Sequence, residues 1–373
     1  MPAVTRPLLV LSAALLAYAH AGYPLVLLAL RRLRPPVVAP SVPGDPPGVS
    51  LVVAAHDEED VIEAKVRDAL GQDYPRERLE VIVASDGSGD ATVERARAAG
   101  ADVVLDLPRR GKVRAQDAAV ERARHALLAF SDANASWAPD ALRHLVAPFV
   151  DPATGYACGI VRFVGGDGTN QEGVYWRYET WVRGLESGLG GVTAGNGAIY
   201  AVRRSAYRPV DPRVSHDLSL PFALVKDGWR AVFEPRARAE EKMMPSVEGE
   251  WRRKRRMMAH AWPMVLGGGL LDPRGYAPLY ALEVLSHRAL RYASPFLHLV
   301  LLAASLRRGP LERGALGAQA ALVAGAALAP RVPLRPLRLA RYYVLMTASV
   351  AAGLWDHLRA GTPAAWEREA GTR

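Results

Sequence analysis

Apolar and polar positions in the first two-thirds of this chain come in blocks. Short β-branched or aliphatic runs each end in a polar cluster. Val49–Ala55 stops at His56-Asp57-Glu58-Glu59, Leu79–Ser85 at Asp86-Gly87-Ser88, and Leu127–Ser131 at Asp132-Ala133-Asn134. A fourth apolar run covers 102–105, and helical periodicity fills the intervals over 58–70, 90–99, 112–126 and 138–149. Strands alternating with helices predict a parallel sheet with right-handed crossovers. Ligands of such a sheet bind beyond the carboxyl ends of its strands, so polar clusters roughly 30 to 45 residues apart converge on one crevice.

The pattern continues less regularly. Residues 156–164 read as a further strand. Tyr175, Tyr178, Val182 and Leu185 recur at helical spacing, with Glu179, Arg183 and Glu186 beside them. Gly188–Gly197 reads as a loop leading into the short strand of AIYAVRR. From Pro263 the chain becomes more apolar, with candidate spans at Pro295–Leu306, Ala315–Pro330 and Tyr342–Leu358. Each is shorter than about 20 residues or interrupted, so hydropathy alone equally allows buried or re-entrant helices.

At the other end, Leu8–Leu30 is 23 mostly apolar residues, long enough to cross a bilayer. Ala19-His20-Ala21 has the small-x-small form of a signal-peptide cleavage site. The apolar run continues past it, however, and meets Arg31, Arg32 and Arg34. Positive charge on that flank predicts an uncleaved anchor whose C-terminal side is cytoplasmic. Pro35–Gly48 holds six prolines and reads as a stiff linker.

Charge sharpens this picture. The net charge is +9, and only five of the 47 basic residues are lysine. The arginines gather beside apolar segments, at 31, 32 and 34, at 307 and 308, and at 331, 335, 338 and 341. That placement suits membrane lipid. No nucleic-acid-binding motif accompanies it. Cys158 is alone, which excludes an intrachain disulfide.

Three features carry chemistry. Acidic groups beside a lysine suit a cation bound with a phosphate-bearing ligand. Lys112, after Arg110-Gly111, starts a helix, where a cation opposes the macrodipole unless an anion sits there. Asp132 and Asn134, two residues apart, offer a carboxylate and an amide oxygen to one cation. Trp251–Trp262 is a basic helix with Trp251, Met258 and Trp262 on one face, which also fits a helix lying on anionic lipid.

Taken together, the HDEE, ASDGSGDAT, RGK, SDAN, SHD and WRRKRRM segments resemble the membrane-embedded family 2 glycosyltransferases. That group includes cellulose, chitin, hyaluronan and poly-N-acetylglucosamine synthases. The resemblance runs from Val49 to Arg256, and more loosely to the C-terminus, where the Trp366–Arg373 tail shares in it. It implies a doubly wound α/β domain of the nucleotide-diphospho-sugar transferase (GT-A) type, with transmembrane helices. The expected organisation is an anchor at 1–34, a linker at 35–48, a cytoplasmic transferase domain at 49–250, basic interfacial helices at 251–290, and three membrane helices with a tail at 291–373.

The resemblance also implies roles. Glu58, Asp86, Lys112, Asp132 and Arg256 would hold the donor, a UDP-sugar by preference. Asp132 and Asn134 would hold Mg²⁺ or Mn²⁺. Asp217, in Ser215-His216-Asp217, would be the base that deprotonates the acceptor hydroxyl. Tyr178, Trp181 and Asn196, in Gly195-Asn196-Gly197, are acceptor-side candidates, the acceptor being a lipid or a glycan. The chain departs from the family at several positions. Asp57 replaces an Asn, Asp117 a later Asn, Asn134 an Asp and His216 an acidic residue. In the Gln-x-x-Arg-Trp motif of processive synthases, Arg253 stands for Gln and Met257 for Trp, while Arg256 matches. The expected function is inverting sugar transfer to a hydroxyl at the cell membrane by a multi-pass protein. Processive polymer synthesis and a non-catalytic nucleotide-sugar-binding subunit are the alternatives.

Overall fold

The computed structural model describes residues 2–34, 41–42, 44–165, 172–244, 247–307, 309–332 and 334–364. Most of the proline-rich linker and the Trp366–Arg373 tail therefore lie outside the described residues. The core is one eight-stranded sheet: β1 (Val49–Ala55), β2 (Leu79–Asp86), β3 (Val103–Leu107), β4 (Leu127–Asp132), β5 (Ser136–Trp137), β6 (Thr154–Val164), β7 (Tyr200–Arg203) and β8 (Arg230–Lys242). The spatial order is β3-β2-β1-β4-β7-β6-β8-β5.

β1 to β4 pair in parallel, with Val49 opposite both Leu79 and Leu127. Helices Ile62–Leu70, Thr92–Ala98 and Lys112–Arg122 connect them. Both faces of this half are covered, and Leu51, Val53, Ile82 and Leu128 are fully buried. Each such side chain contributes about 1.5–3 kcal/mol. The expectation of a parallel sheet ends at β7, which runs antiparallel to β4 and β6, making the sheet mixed.

Two differences from the sequence reading have local causes. The first helix starts at Ile62 rather than near Glu58, because Asp57 takes a left-handed φ of 52° and turns the chain out of line. β8 was not foreseen as a strand. Its Pro235 argues against a strand by sequence, and the structure absorbs it at a register shift between Cys158 and Ile160 of β6. Gly159 is required there: a Cβ would stand 2.3 Å from the Ala237 carbonyl oxygen.

The helices outside the sheet form a second layer. Pro2–Ala17, a π-helical turn Tyr18–Gly22 and Tyr23–Arg32 follow without interruption. Thr5–Arg32, a 28-residue helix whose most apolar 18-residue stretch has mean hydropathy 1.7, is the one helix among the described residues long and apolar enough to cross a membrane. Leu9 and Leu16 pack against Leu301 and Ala304 of helix Leu290–Ser305. Helix Pro310–Leu328 packs on Arg335–Ala360, which lies on the basic helix Val247–Leu266. The three helices expected near the C-terminus are thus present, but none of them meets the length and hydropathy of a span.

Candidate active site

The carboxyl ends of β1, β2 and β4 bring their polar clusters together. After β1, His56 Nδ1 meets the Asp86 carbonyl at 2.9 Å, and Gly89 N–H donates to Asp57 at 2.8 Å. Glu58 N–H donates to the Thr92 hydroxyl at 2.8 Å, and its buried side chain lies in the same loop. The Asp57 backbone takes a left-handed conformation that Asp and Asn tolerate. This first loop is thereby stapled to the second.

Asp86 ends β2, buried. Its carboxylate accepts backbone N–H groups of Arg110 (2.6 Å) and Gly111 (2.9 and 3.0 Å). It thereby shapes the turn that delivers Lys112. Gly111, at φ 97°, begins that helix, and Lys112 is its first residue. The Lys112 ammonium lies against the Asp132 carboxylate at the end of β4. Desolvation favours the neutral amine, but Asp132, Asp217 and Glu241 outweigh it and hold Lys112 above the ordinary lysine range.

Asp217 is in the first turn of helix His216–Lys226. Its backbone carbonyl accepts the Gly195 N–H at 2.7 Å, tying the Gly-Asn-Gly loop to the helix start. A narrow crevice between this helix and Lys112–Arg122 is lined by Lys112, Gln116, Tyr200, Ser215, His216 and Asp217. A Cβ on Gly197 would stand 3.1 Å from Asp132. Lys112 and Asp217 therefore line one crevice, with Asp132 against Lys112 at its edge.

A divalent cation at this site would take Asp132 and Asn134 as its protein ligands. Among the described residues no three His, Cys, Asp or Glu side chains converge on a metal position. Cations of the Mg²⁺ type bind through one or two protein ligands plus substrate phosphates and water, so a full cage is not required. The Asp132 carboxylate is paired with the Lys112 ammonium, so a cation there would share that carboxylate with it, and Asn134 follows two residues later.

The other candidates are placed elsewhere. Tyr178 donates to the His20 carbonyl (2.8 Å) and so faces the N-terminal helix, Trp181 beside it is 45% exposed, and neither lines the crevice. Asn196 is buried and spends its amide on the Gly159 carbonyl (2.8 Å) and the Ile199 N–H (3.0 Å). It holds the Gly-Asn-Gly loop in place. Arg256 lies near His260, whose Nδ1 meets the Arg213 carbonyl at 3.0 Å, just before Ser215. Sequence reasoning did not connect the Gly361–Ala364 segment to the site. A Cβ on Gly111 would stand 2.3 Å from the Ala364 carbonyl oxygen, so this segment closes over the Lys112 turn. Thr362 anchors it to the Ala259 carbonyl (2.9 Å).

Comparison with known proteins agrees with this geometry. Residues 50–210 match the family described as glycosyl transferase family 2. The chain is similar to the poly-beta-1,6-N-acetyl-D-glucosamine synthase of Staphylococcus aureus, 23% identical over 56% of this chain and 53% of that protein. It is similar to the beta-monoglucosyldiacylglycerol synthase of Trichormus variabilis, 28% identical over 53% of this chain and 46% of that protein. The chain thus spans about half the length of these curated relatives. Among solved structures, the mannosyltransferase PcManGT from Pyrobaculum calidifontis, in complex with GDP-Man and Mn²⁺, superposes with a TM-score of 0.73 at 26% identity. That match covers 94% of this chain and 99% of that one. Family match and superposition agree: residues 50–210 form a family 2 glycosyltransferase domain, and the chain is built on the GT-A fold.

Proposed function

We propose that the protein transfers a sugar, with inversion, from a nucleotide-diphospho-sugar to a hydroxyl of a lipid-linked or glycan acceptor at the membrane. The observation that carries this reading is the Lys112–Asp132 pair at the mouth of the crevice that Asp217 lines. The Asp217 carboxylate takes the proton of the acceptor hydroxyl as its oxygen bonds to the anomeric carbon. The bond from that carbon to the diphosphate breaks, and the nucleoside diphosphate leaves with the electron pair. Lys112 places positive charge where the leaving diphosphate gains negative charge. Glu58 and Asp86 stand on the nucleotide side, and Arg256, on the basic helix Val247–Leu266 outside the crevice lining, would reach the diphosphate only if that helix moves toward it. Asp132 and Asn134 would hold Mg²⁺ or Mn²⁺, which when bound supplies further charge stabilisation to the leaving group.

The helical layer supports action at a membrane. Thr5–Arg32 has the length and composition of an anchor. Leu25 on this helix, and Leu299, Leu302, Val323 and Leu328 on the C-terminal helices, present exposed apolar surface. The arginines at and just after the end of the first helix, Arg31, Arg32 and Arg34, support a transferase domain on the cytoplasmic side, where nucleotide sugars are available. Met257 stands within 3.8 Å of Arg253 and offers no broad flat surface to a sugar. The product we propose is therefore one or a few added sugars and not a long polymer.

The test is nucleoside diphosphate release by the detergent-purified chain, run against UDP-, GDP- and dTDP-sugars with lipid and glycan acceptors. A UDP-sugar is the donor favoured by the resemblance to polymer synthases. The GDP-Man complex of PcManGT makes GDP-mannose the main competitor in the panel. Donor binding without release on any acceptor would favour a binding subunit instead.

A further inference from the structure

Two departures from the family pattern, Asp117 and His216, lie 99 residues apart in the chain and meet in the structure. His216 is the residue before the proposed base, and its side chain is 1% exposed. Its Nδ1 lies 3.3 Å from the Tyr200 hydroxyl, which accepts from Gln116 Nε2 at 3.3 Å. Its Nε2 lies 3.4 Å from the Tyr207 hydroxyl, which donates to Asp117 at 2.5 Å. Asp117 Oδ1 is 3.8 Å from the same Nε2.

The directions of these bonds follow from the donor inventory. Tyr207 gives its one proton to Asp117, so its oxygen can only accept, and His216 must carry hydrogen on Nε2. Tyr200 already accepts from Gln116 and is free to donate to Nδ1. The chain of contacts therefore selects one imidazole tautomer. It also links two helices: Gln116 and Asp117 follow Lys112 on the donor side, and His216 begins the helix that carries Asp217. Phe130 and Tyr207 fix the ring sterically, with edge contacts at 5.9 and 5.6 Å between centroids.

We propose that Asp117 and His216, bridged by Tyr207, form a matched positioning pair that sets the approach of Asp217 to the acceptor hydroxyl. The carboxylate that the family resemblance places at position 216 is supplied here from position 117, with an imidazole facing it. This rests on the reading of Asp217 as the base, and loss of activity in Asp217→Asn tests that reading separately. The pair acts through the backbone that joins His216 to Asp217, and its effect falls on kcat, since a displacement of about 1 Å at the reacting group can cost 10²-fold.

The experiment compares Tyr207→Phe, Asp117→Asn, His216→Glu and the double variant Asp117→Asn/His216→Glu by steady-state kinetics, with thermal melts alongside. His216→Glu puts a second carboxylate against Asp117 and should lower kcat about 100-fold, with donor KM within about threefold. Adding Asp117→Asn removes that repulsion and should restore kcat at least about tenfold above the single variant. Tyr207→Phe, which removes one hydroxyl and leaves the aromatic packing, should lower kcat roughly tenfold. Two results would overturn the proposal: a double variant no more active than His216→Glu, or Tyr207→Phe within about twofold of wild-type kcat.

Discussion

Lys112→Met separates an ion pair that only stabilises the fold from one that also receives the donor. The methionine keeps most of the volume and removes the ammonium from Asp132. A unit pair at about 4 Å with an effective dielectric near 20 is worth roughly 4 kcal/mol in gross attraction. Both side chains are a little over a quarter exposed, 28% and 27%. Solvent screening and side-chain entropy therefore reduce the net contribution to about 1–2 kcal/mol of stability. A charged hydrogen bond to a diphosphate adds about 1.5–3 kcal/mol to donor affinity. The variant should then bind the nucleotide sugar roughly 10- to 100-fold more weakly. Calorimetric titration of donor in the presence of Mn²⁺, beside a thermal melt of the same preparation, reads both quantities. A lowered melting temperature with donor affinity within about twofold of wild type would refute the reasoning, because Lys112 would then be purely structural.

Three further outcomes follow from the geometry. Burial first, opposed by Arg183 and assisted by Asp217, pushes the Cys158 thiol up to about 11. At pH 8 it should resist iodoacetamide in the native protein and react after unfolding, whereas rapid native labelling would contradict its placement. Glu283 is pushed up to about 10 by burial and then by the charge of Glu186. The folded state keeps a proton that the unfolded state releases above the ordinary Glu range, so stability falls as pH rises from about 4.5 toward 10, by at most about 1.4 kcal/mol per pH unit. The melting temperature of Glu283→Gln should fall less than wild type between pH 5 and 8, and parallel curves would count against it. Asn134→Asp adds a carboxylate at the cation position and should lower the Mn²⁺ concentration for half-maximal activity roughly tenfold. A requirement for more Mn²⁺ would contradict the assignment.

The half of the sheet that builds the donor side was legible because local pattern and position coincide there. Val49–Ala55, Leu79–Ser85 and Leu127–Ser131 are buried strands, and whatever follows such a strand reaches the crevice. Lys112 was legible for a different reason, a cation at a helix start with no structural purpose of its own. The acceptor side was harder. The periodicity around Tyr178 and Trp181 marks a helix, but does not say what each of its faces meets. Tyr178 bonds to His20, 158 residues earlier, a contact no local pattern announces. Asn196 looked like a ligand because it sits in a glycine loop, and its amide is used within that loop. β8 was hidden by Pro235, and the join of Gly361–Ala364 to Gly111 by chain distance. The Asp117–His216 pair combines both difficulties, since each residue alone reads as a departure and only the fold brings them together.

The central claim is that Asp217 is the base of a sugar transfer. Turnover of Asp217→Asn, measured with the preferred donor and acceptor beside its donor affinity, tests it most directly. A positioned general base is worth at least about 10²-fold. The account predicts a loss of that size or more, with donor affinity within about threefold of wild type. A variant that keeps more than about a tenth of wild-type turnover would contradict it.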